Sequence, residues 1–197
     1  MVGNPSRRPF EFIANHIVLD FINTVNARPS FTRDDLTCVD DVLEWAIAAG
    51  ASKGQRRAPG LAAAQGFSAA VELREGLYRV FGPLASGREP QQAALAAVTR
   101  RGADAICHAE WHRHTSGFEP AWRDDSIESL CNRLADAAVQ LLRSPVLAHV
   151  GSCDGCGWLF LDTSRAHARR WCSMSACGAR DKMRRYHRRQ ATTVGAS

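Results

Sequence analysis

The 197-residue sequence has no long hydrophobic run, and this absence limits where the protein can act. No stretch reaches the ~18 uncharged apolar residues of a membrane-spanning helix, so no membrane association is expected. The first twelve residues contain two arginines but no apolar run, so they are not expected to form a secretory signal. The expected location is therefore the cytoplasm, where cysteines bind metal or stay as buried thiols more often than they form disulfides.

Catalytic motifs are missing as well. The sequence has no glycine-rich phosphate loop and no recognisable catalytic dyad, so an enzyme is not expected. His108, His112 and His114 alternate around Glu110 and could bind a metal ion, but exposed residues of a hairpin are the favoured interpretation. Lysine is also scarce, with two residues against 23 arginines, which is a bias typical of a GC-rich genome.

Four of the seven cysteines form the most specific motif in the chain. Cys153, Cys156, Cys172 and Cys177 follow the spacing C-x2-C-x15-C-x4-C, which predicts one structural zinc ion held by four sulfurs. Unligated thiols and a redox C-x-x-C pair are disfavoured, because the redox pair leaves Cys172 and Cys177 unexplained. Catalytic zinc is disfavoured because four thiolates leave no open coordination position for water.

The residues between these cysteines predict a treble-clef-like finger. Gly155 is expected to permit the turn between the first two cysteines, and segments 158–161 and 169–171 are expected to form a hairpin. A helix is predicted over residues 181–190. Because the segment is too small to bury a core alone, zinc should supply much of its folding free energy. The other three cysteines are predicted to be buried small hydrophobes: Cys38, Cys107 and Cys131.

Apolar periodicity predicts a mostly helical chain before the finger. Helices are predicted over residues 15–26, from an N-cap at Thr37 to Gly50, and over 68–81, 91–101 and 126–143. Gly102 is predicted to end the fourth of these helices, and segments 28–35 and 51–66 are predicted to be loops. Residues 105–123 predict a β-hairpin that turns at Ser116-Gly117. The predicted fold class is therefore mainly α with a small β-hairpin. A multihelical N-terminal domain (residues 1–148) is followed by a treble-clef-like four-cysteine zinc finger with a basic helix (149–197).

Positive charge is concentrated in residues 151–197, which hold nine basic and three acidic residues. A basic module on a nearly neutral body is typical of proteins that bind a polyanion. Met183 and Tyr186 are expected to pack back on the finger, and Arg180 is the candidate for reading a base. The alternative is a solvated helix that only keeps the protein soluble. The candidate nucleic-acid contacts are Arg165, Arg169, Arg170, Arg180, Lys182, Arg184, Arg185, Arg188 and Arg189.

Two resemblances to known families together cover essentially the whole chain. The four cysteines with Cys156-Gly-Trp-Leu-Phe-Leu-Asp162 and Arg169-Arg-Trp171-Cys172-Ser-Met174 closely resemble the CGNR zinc finger. The run Leu19-Asp20-Phe21-Ile22-Asn23-Thr24 resembles the opening of the ABATE domain, its usual N-terminal companion. The motif that names the finger reads Cys177-Gly178-Ala179-Arg180 here. Alanine replaces the family's asparagine, so any hydrogen bond made by that asparagine is lost.

The resemblance implies a bacterial stress-induced transcription regulator whose finger contacts double-stranded DNA. The alternative function is a zinc-stabilised RNA- or protein-interaction module without sequence-specific DNA reading. Asp20, Asn23 and Thr24 are spaced to share a helix face, so they are candidates for binding a small-molecule effector. In the alternative interpretation they hold adjacent backbone as caps or turn partners. A homodimer is a further expectation.

Overall fold

The computed structural model describes residues 9–26, 28, 33–52, 61–122 and 126–194. Its helices are α1 (Ile17–Ile22), α2 (Val39–Ala48), α3 (Leu61–Leu84), α4 (Gln92–Cys107), α5 (Ile127–Arg143) and α6 (Ala179–Val194). The strands form three antiparallel pairs, β1 (Val25–Asn26) with β2 (Arg33–Asp34), β3 (Glu110–His114) with β4 (Gly117–Ala121), and β5 (Val150–Ser152) with β6 (Leu159–Leu161). The described residues are mainly helical, with small antiparallel strand pairs, which confirms the predicted fold class.

Local capping explains where two of the helices begin. α5 follows Ser126, whose hydroxyl accepts a hydrogen bond from the Ser129 N–H at 3.1 Å, as expected for a helix over 126–143. α2 has Cys38 as its N-cap, so the prediction of Thr37 is wrong by one residue. The Asp41 carboxylate accepts hydrogen bonds from the N–H groups of both Thr37 and Cys38, which fixes the first turn of α2.

The lengths of the first and third helices differ from the predictions. α1 covers only six residues, and the chain then enters β1 instead of continuing as a helix to residue 26. α3 already begins at Leu61, so the loop predicted over 51–66 is wrong from that residue onward. Residues 53–60 of that loop lie outside the described residues. Pro83 lies in the last turn of α3, one residue before the helix ends, so the backbone N–H that it lacks removes a helical bond only at the end of the helix.

Gly102 does not end a helix, contrary to the prediction. α4 continues to Cys107, and Gly102 is buried where α4 packs against α5. A Cβ atom at this position would lie 2.4 Å from Val139 Cγ2, so only glycine allows the two helices to approach this closely. A tertiary contact, rather than a helix end, explains this glycine.

The helical body, defined here as α1–α5 with their connections, shares one hydrophobic core with the finger hairpin. The large, fully buried apolar side chains of the body include Phe21, Trp45, Leu77, Phe81 and Leu134. Strands β5 and β6 add Val150, Leu159 and Leu161 to the same core. The predicted domain boundary between residues 148 and 149 stays a prediction. It falls just before a strand that completes the core of the body.

The hairpin predicted over 105–123 is present as β3 and β4, although residues 105–107 belong to α4. His112 lies opposite Glu119 and His114 lies opposite Gly117. Both histidines are exposed, and His114 lies 3.6 Å from the Glu119 carboxylate. Within the described ranges, the one group of side chains placed to hold a metal ion is in the finger.

Two predictions about the isolated cysteines are wrong. Cys131 is buried on α5, as expected for a small hydrophobe. Cys38 and Cys107 are exposed, because they lie at the N-cap of α2 and in the last turn of α4. Across the part of the chain that the structure describes, no helix has the length and apolar character needed to cross a membrane.

Candidate metal centre and nucleic-acid interface

The first cysteine pair lies in the loop of a hairpin formed by β5 and β6. In this hairpin Val150 pairs with Leu161 and Ser152 pairs with Leu159. The Cys153 N–H donates to the Trp158 carbonyl at 2.8 Å, which closes the loop that carries the first two sulfurs. The expected hairpin between segments 158–161 and 169–171 is therefore wrong. The partner of β6 precedes the first cysteine in sequence.

Two glycines shape the loop between the paired strands. Gly155 was expected to provide the turn, but the positive φ of 74° belongs to Gly157. A Cβ atom at Gly157 would lie 2.6 Å from the Arg28 carbonyl oxygen, so the loop packs directly against the backbone of the helical body. Gly155 is restricted by a different contact, because its Cβ would lie 3.0 Å from the Cys177 Cβ.

The four sulfur atoms are arranged as zinc requires. They all lie within 4.8 Å of one another. Cys172 Sγ is 3.5 Å from Cys156 Sγ and 3.6 Å from Cys177 Sγ. A tetrahedron with ~2.3 Å zinc–sulfur bonds has edges of about 3.8 Å, so these separations fit a four-sulfur zinc site. Without a metal ion, four thiols have no comparable attraction that would bring all of the sulfur atoms this close together.

The four sulfurs shift one another's pKa values in opposite directions because they lie so close together. A hydrogen bond from the Cys172 thiol lowers the pKa of Cys156 to about 5, whereas the same interaction raises the pKa of Cys172, and burial raises that of Cys177. Without a cation the cluster favours one thiolate at neutral pH, and a bound metal ion would hold the other sulfurs in the same form. Cys153, Cys172 and Cys177 are buried, and Cys156 is half-buried. Because four sulfurs complete the coordination of zinc, the ion acts structurally rather than as a catalyst.

Arg180 is attached to the metal centre. Its guanidinium donates a hydrogen bond to Cys177 Sγ at 2.9 Å, and this bond raises the pKa of Arg180. A charge-assisted bond of this type offsets negative charge on the thiolates and orients the ligand. Arg180 follows the last cysteine by three residues, and this bond fixes its position relative to the metal centre, although it also occupies part of the guanidinium.

Arg169 faces the protein, in contrast to its expected place in the nucleic-acid surface. Its Nη2 donates to the carbonyl oxygens of Ile13, at 2.8 Å, and of Cys172. Its guanidinium lies 4.4 Å from the centre of the Phe160 ring. Arg169 therefore joins the N-terminal segment, the hairpin and the second cysteine pair, so its role in this structure is to hold the finger together.

The other candidate basic residues lie on the surface. Arg165 is exposed in the loop after β6, and Arg170 pairs with Asp154 at 2.7 Å while its side chain stays 67% exposed. On α6, besides Arg180, the exposed lysine and arginine residues are Lys182, Arg184, Arg185, Arg188 and Arg189. Met183 and Tyr186 are each 54% exposed, so the expectation that they pack back on the finger is wrong.

The residues proposed to bind an effector are buried and hydrogen-bonded to the protein itself. Asp20 Oδ1 accepts from the Ala14 N–H at 2.9 Å, and Thr24 Oγ1 donates to the Phe21 carbonyl. Asn23 bonds both backbone groups of Leu159 in β6. Burial raises the pKa of Asp20 to about 6, although the hydrogen bonds and the nearby Arg169 oppose the shift. These contacts are the ones expected if the three residues hold adjacent backbone as caps or turn partners. Effector binding by these residues stays a prediction.

Sequence reasoning missed a buried ionic cluster beside this segment. Arg74 is 2% exposed, and its guanidinium forms two hydrogen bonds with the Asp34 carboxylate, at 2.7 and 2.6 Å. Arg28 is bound at two points to Glu75. A signal existed, because Arg74 lies on the apolar face of α3 between Ala70 and Leu77. An arginine at that position in a buried stripe implies an internal partner.

The fold and the metal centre together define a helical protein with a C-terminal structural zinc finger. Comparison with protein-family models matches residues 149–190 to the CGNR zinc finger. Residues 15–145 match ABATE, described as "Putative stress-induced transcription regulator", and the chain belongs to this family. A search of curated proteins found no match. The finger therefore binds one structural zinc ion through the cysteine cluster described above.

Proposed function

We propose that this protein is a transcription regulator that binds double-stranded DNA through α6 and the adjoining surface of the zinc finger. The observation that carries the proposal is the exposure of α6. Six Lys and Arg side chains of this helix are exposed, Arg180 among them, and one acidic residue, Asp181, accompanies them. Such a surface attracts phosphates, and guanidinium groups also match the acceptor pair of guanine in the major groove.

The dimensions of α6 suit this role. Its 16 residues give a length of about 24 Å, and the major groove admits a single α-helix. Asp181 binds Arg185 at 2.9 Å near the first turn, which supports the helix where it leaves the zinc centre. The bond between Arg180 and Cys177 links the same turn to the metal. DNA binding should therefore depend on zinc.

Two other functions are less well supported. Recognition of single-stranded RNA uses aromatic side chains that stack on bases, and Tyr186 is the one aromatic ring on the described part of α6 apart from His187. A catalytic role for zinc would need an open coordination position, which four cysteine ligands do not leave. We therefore propose a regulator that is not an enzyme and functions in the cytoplasm.

Two further properties belong to the proposal. The helical body would bind a small-molecule effector, and its packing against the finger hairpin would carry the signal. A homodimer would place two copies of α6 on successive half-sites, as in many bacterial regulators with two-fold symmetry. Sedimentation with and without a duplex of the protein's own promoter would test the dimer.

Fluorescence anisotropy with duplex DNA tests the main proposal. Wild-type protein should bind a duplex from its own promoter more tightly than an unrelated duplex or a generic polyanion. The double variant Arg188→Ala/Arg189→Ala should lose most of this binding. Arg100→Ala removes an exposed charge from α4 in the helical body and should leave it unchanged. Equal binding to all three partners, with no effect of the α6 variant, would reject DNA recognition.

A further inference from the structure

A cavity of about 750 Å³ opens between the helical body and the finger hairpin. One wall comes from the end of α3, the connection to α4 and the first turn of α4. The opposite wall comes from the hairpin, through Ser152, Gly157 and Leu159. The volume falls within the range typical of small-molecule sites. A molecule in this cavity would therefore touch both parts of the protein at once.

The cavity has an excess of positive charge. Arg79 and Arg88 line it, both are exposed, and neither has a salt-bridge partner among the described residues. Among the described residues that line the cavity, Glu89 is the one acidic side chain. Arg28 also contributes to the wall, but its charge is offset by the two-point bond to Glu75. Two arginines free to turn toward a common ligand favour an anion.

The start of α4 adds backbone donors on the same side. Gln91 is the N-cap of this 16-residue helix, and its side chain makes no capping hydrogen bond. The first turn of α4 contains no acidic residue, although Glu89 lies two residues before the N-cap, so the N–H groups that lack helical partners there add to the positive potential of the two arginines. Gln91 and Ala94 both line the cavity. Backbone N–H groups at a helix start complement the two arginines in binding phosphate.

We propose that this cavity binds a small organic molecule that carries a phosphate group. The phosphate would lie between Arg79, Arg88 and the start of α4, and the organic part would fill the space toward the hairpin. The volume exceeds what a single phosphate ion needs, which is why a phosphorylated molecule is the assigned class. An effect of this ligand on DNA binding rests on the proposed function. Binding of the ligand in the cavity does not, because it does not require that the protein bind DNA.

Such a ligand would influence the finger through β6. Leu159 lines the cavity, and its backbone is held by Asn23 from the helical body. Gly157, also in the wall, contacts the Arg28 backbone. A bound molecule would thus add contacts at the junction where the finger joins the body. Ligand binding at this junction would favour one position of α6 relative to the body.

Thermal unfolding with inorganic pyrophosphate as the probe tests the site. At ten times its dissociation constant, pyrophosphate should raise the Tm of wild-type protein by about 3–6 °C above a sodium chloride control of equal ionic strength. Arg79→Ala/Arg88→Ala, which changes only exposed residues, should lose this increase and retain zinc. Arg100→Ala, the matched charge control, should keep it.

The basic helix α6 is the main competing site for pyrophosphate, so the double variant Arg188→Ala/Arg189→Ala completes the experiment. It should keep the Tm increase if the probe binds the cavity. Loss of the increase in this variant but not in Arg79→Ala/Arg88→Ala would overturn the proposal, and so would the absence of any increase in wild-type protein. A normal increase in protein that fails to bind DNA would reject the regulator proposal alone.

Discussion

The side-chain amide of Asn23 pairs with both backbone groups of Leu159, donating to the carbonyl at 2.8 Å and accepting from the N–H at 2.9 Å. The two residues are 136 positions apart in sequence. The amide completes the hydrogen bonding of β6 on the side that faces the helical body, in the way that a neighbouring strand would. Asn23 therefore connects the body to the finger through one side chain.

Replacing Asn23 by Ala should destabilise the whole protein. The substitution leaves one donor and one acceptor of β6 buried without partners, at a cost of about 2–4 kcal/mol in the free energy of unfolding. Urea unfolding monitored by circular dichroism would measure the loss. Gln92→Ala, which removes an exposed amide from α4, is the control and should change little. An unchanged midpoint for Asn23→Ala would show that the pairing contributes nothing.

Zinc content should depend on the four clustered cysteines and not on the others. We expect one zinc ion per chain in the purified protein and its loss in Cys172→Ser, because three sulfurs cannot complete the site. Cys107→Ser changes an exposed cysteine of α4 and should keep full zinc content. Elemental analysis of the three proteins gives the answer. A folded Cys172→Ser variant with one tightly bound zinc ion would contradict the assignment.

Gly157→Ala should cost more stability than its backbone angle alone explains. A left-handed conformation costs an alanine about 1–2 kcal/mol, and the added Cβ at Gly157 also meets the Arg28 carbonyl at 2.6 Å. Gly50 has a similar φ of 68° with no atom near the added Cβ, so Gly50→Ala isolates the cost of the angle. Chemical denaturation of both variants should show the larger loss at Gly157. Equal losses of stability in the two variants would mean that the loop moves away from the Arg28 carbonyl at no measurable energetic cost.

The pH dependence of stability should carry a contribution from Asp20. Burial raises the pKa of Asp20 to about 6 in the folded chain, whereas an unfolded chain releases this proton near pH ~4. The folded state therefore binds the proton more tightly, and this group makes the protein more stable as pH falls from about 7 to about 4.

The variant Asp20→Asn should remove that contribution, since asparagine keeps an acceptor for the Ala14 N–H but does not titrate. The difference in unfolding free energy between wild type and variant, measured across this pH range, isolates Asp20 from other groups. Asp104→Asn, on the exposed face of α4, serves as the comparison. A difference that does not change with pH would show that Asp20 titrates normally.

Arg180 and Arg188 should differ in how they affect DNA binding. Arg188→Ala should weaken binding to all duplexes alike and make the dependence of log affinity on log salt shallower by about 0.9, as for one lost phosphate contact. Arg180→Ala should in addition release zinc faster to a chelator, because it removes the bond to Cys177. Anisotropy titrations at several salt concentrations and a zinc-release assay separate the two. If the two variants behave identically in both assays, Arg180 and Arg188 do not have different roles.

The features predicted correctly from the sequence are local ones. The cysteine spacing and the apolar period of α5 each depend on residues close in the chain, so they could be read directly. The role of Arg169 could not, because its acceptor at Ile13 lies 156 residues away. The prediction that Gly102 ends a helix is wrong for the same reason, because the contact that excludes a side chain at this position comes from Val139 on another helix. The strand that pairs with β6 was missed because β5 has only three residues and no alternating pattern.

The shared core has a consequence for synthesis on the ribosome. Val150, Leu159 and Leu161 are translated after all five helices of the body, yet they complete its interior. The apolar surface of the nascent helices therefore stays exposed until the last quarter of the chain emerges. Chaperones bind nascent chains that expose such a surface. A message truncated after the codon for Pro145 would yield a chain with an unfinished interior, and cellular proteases should remove it.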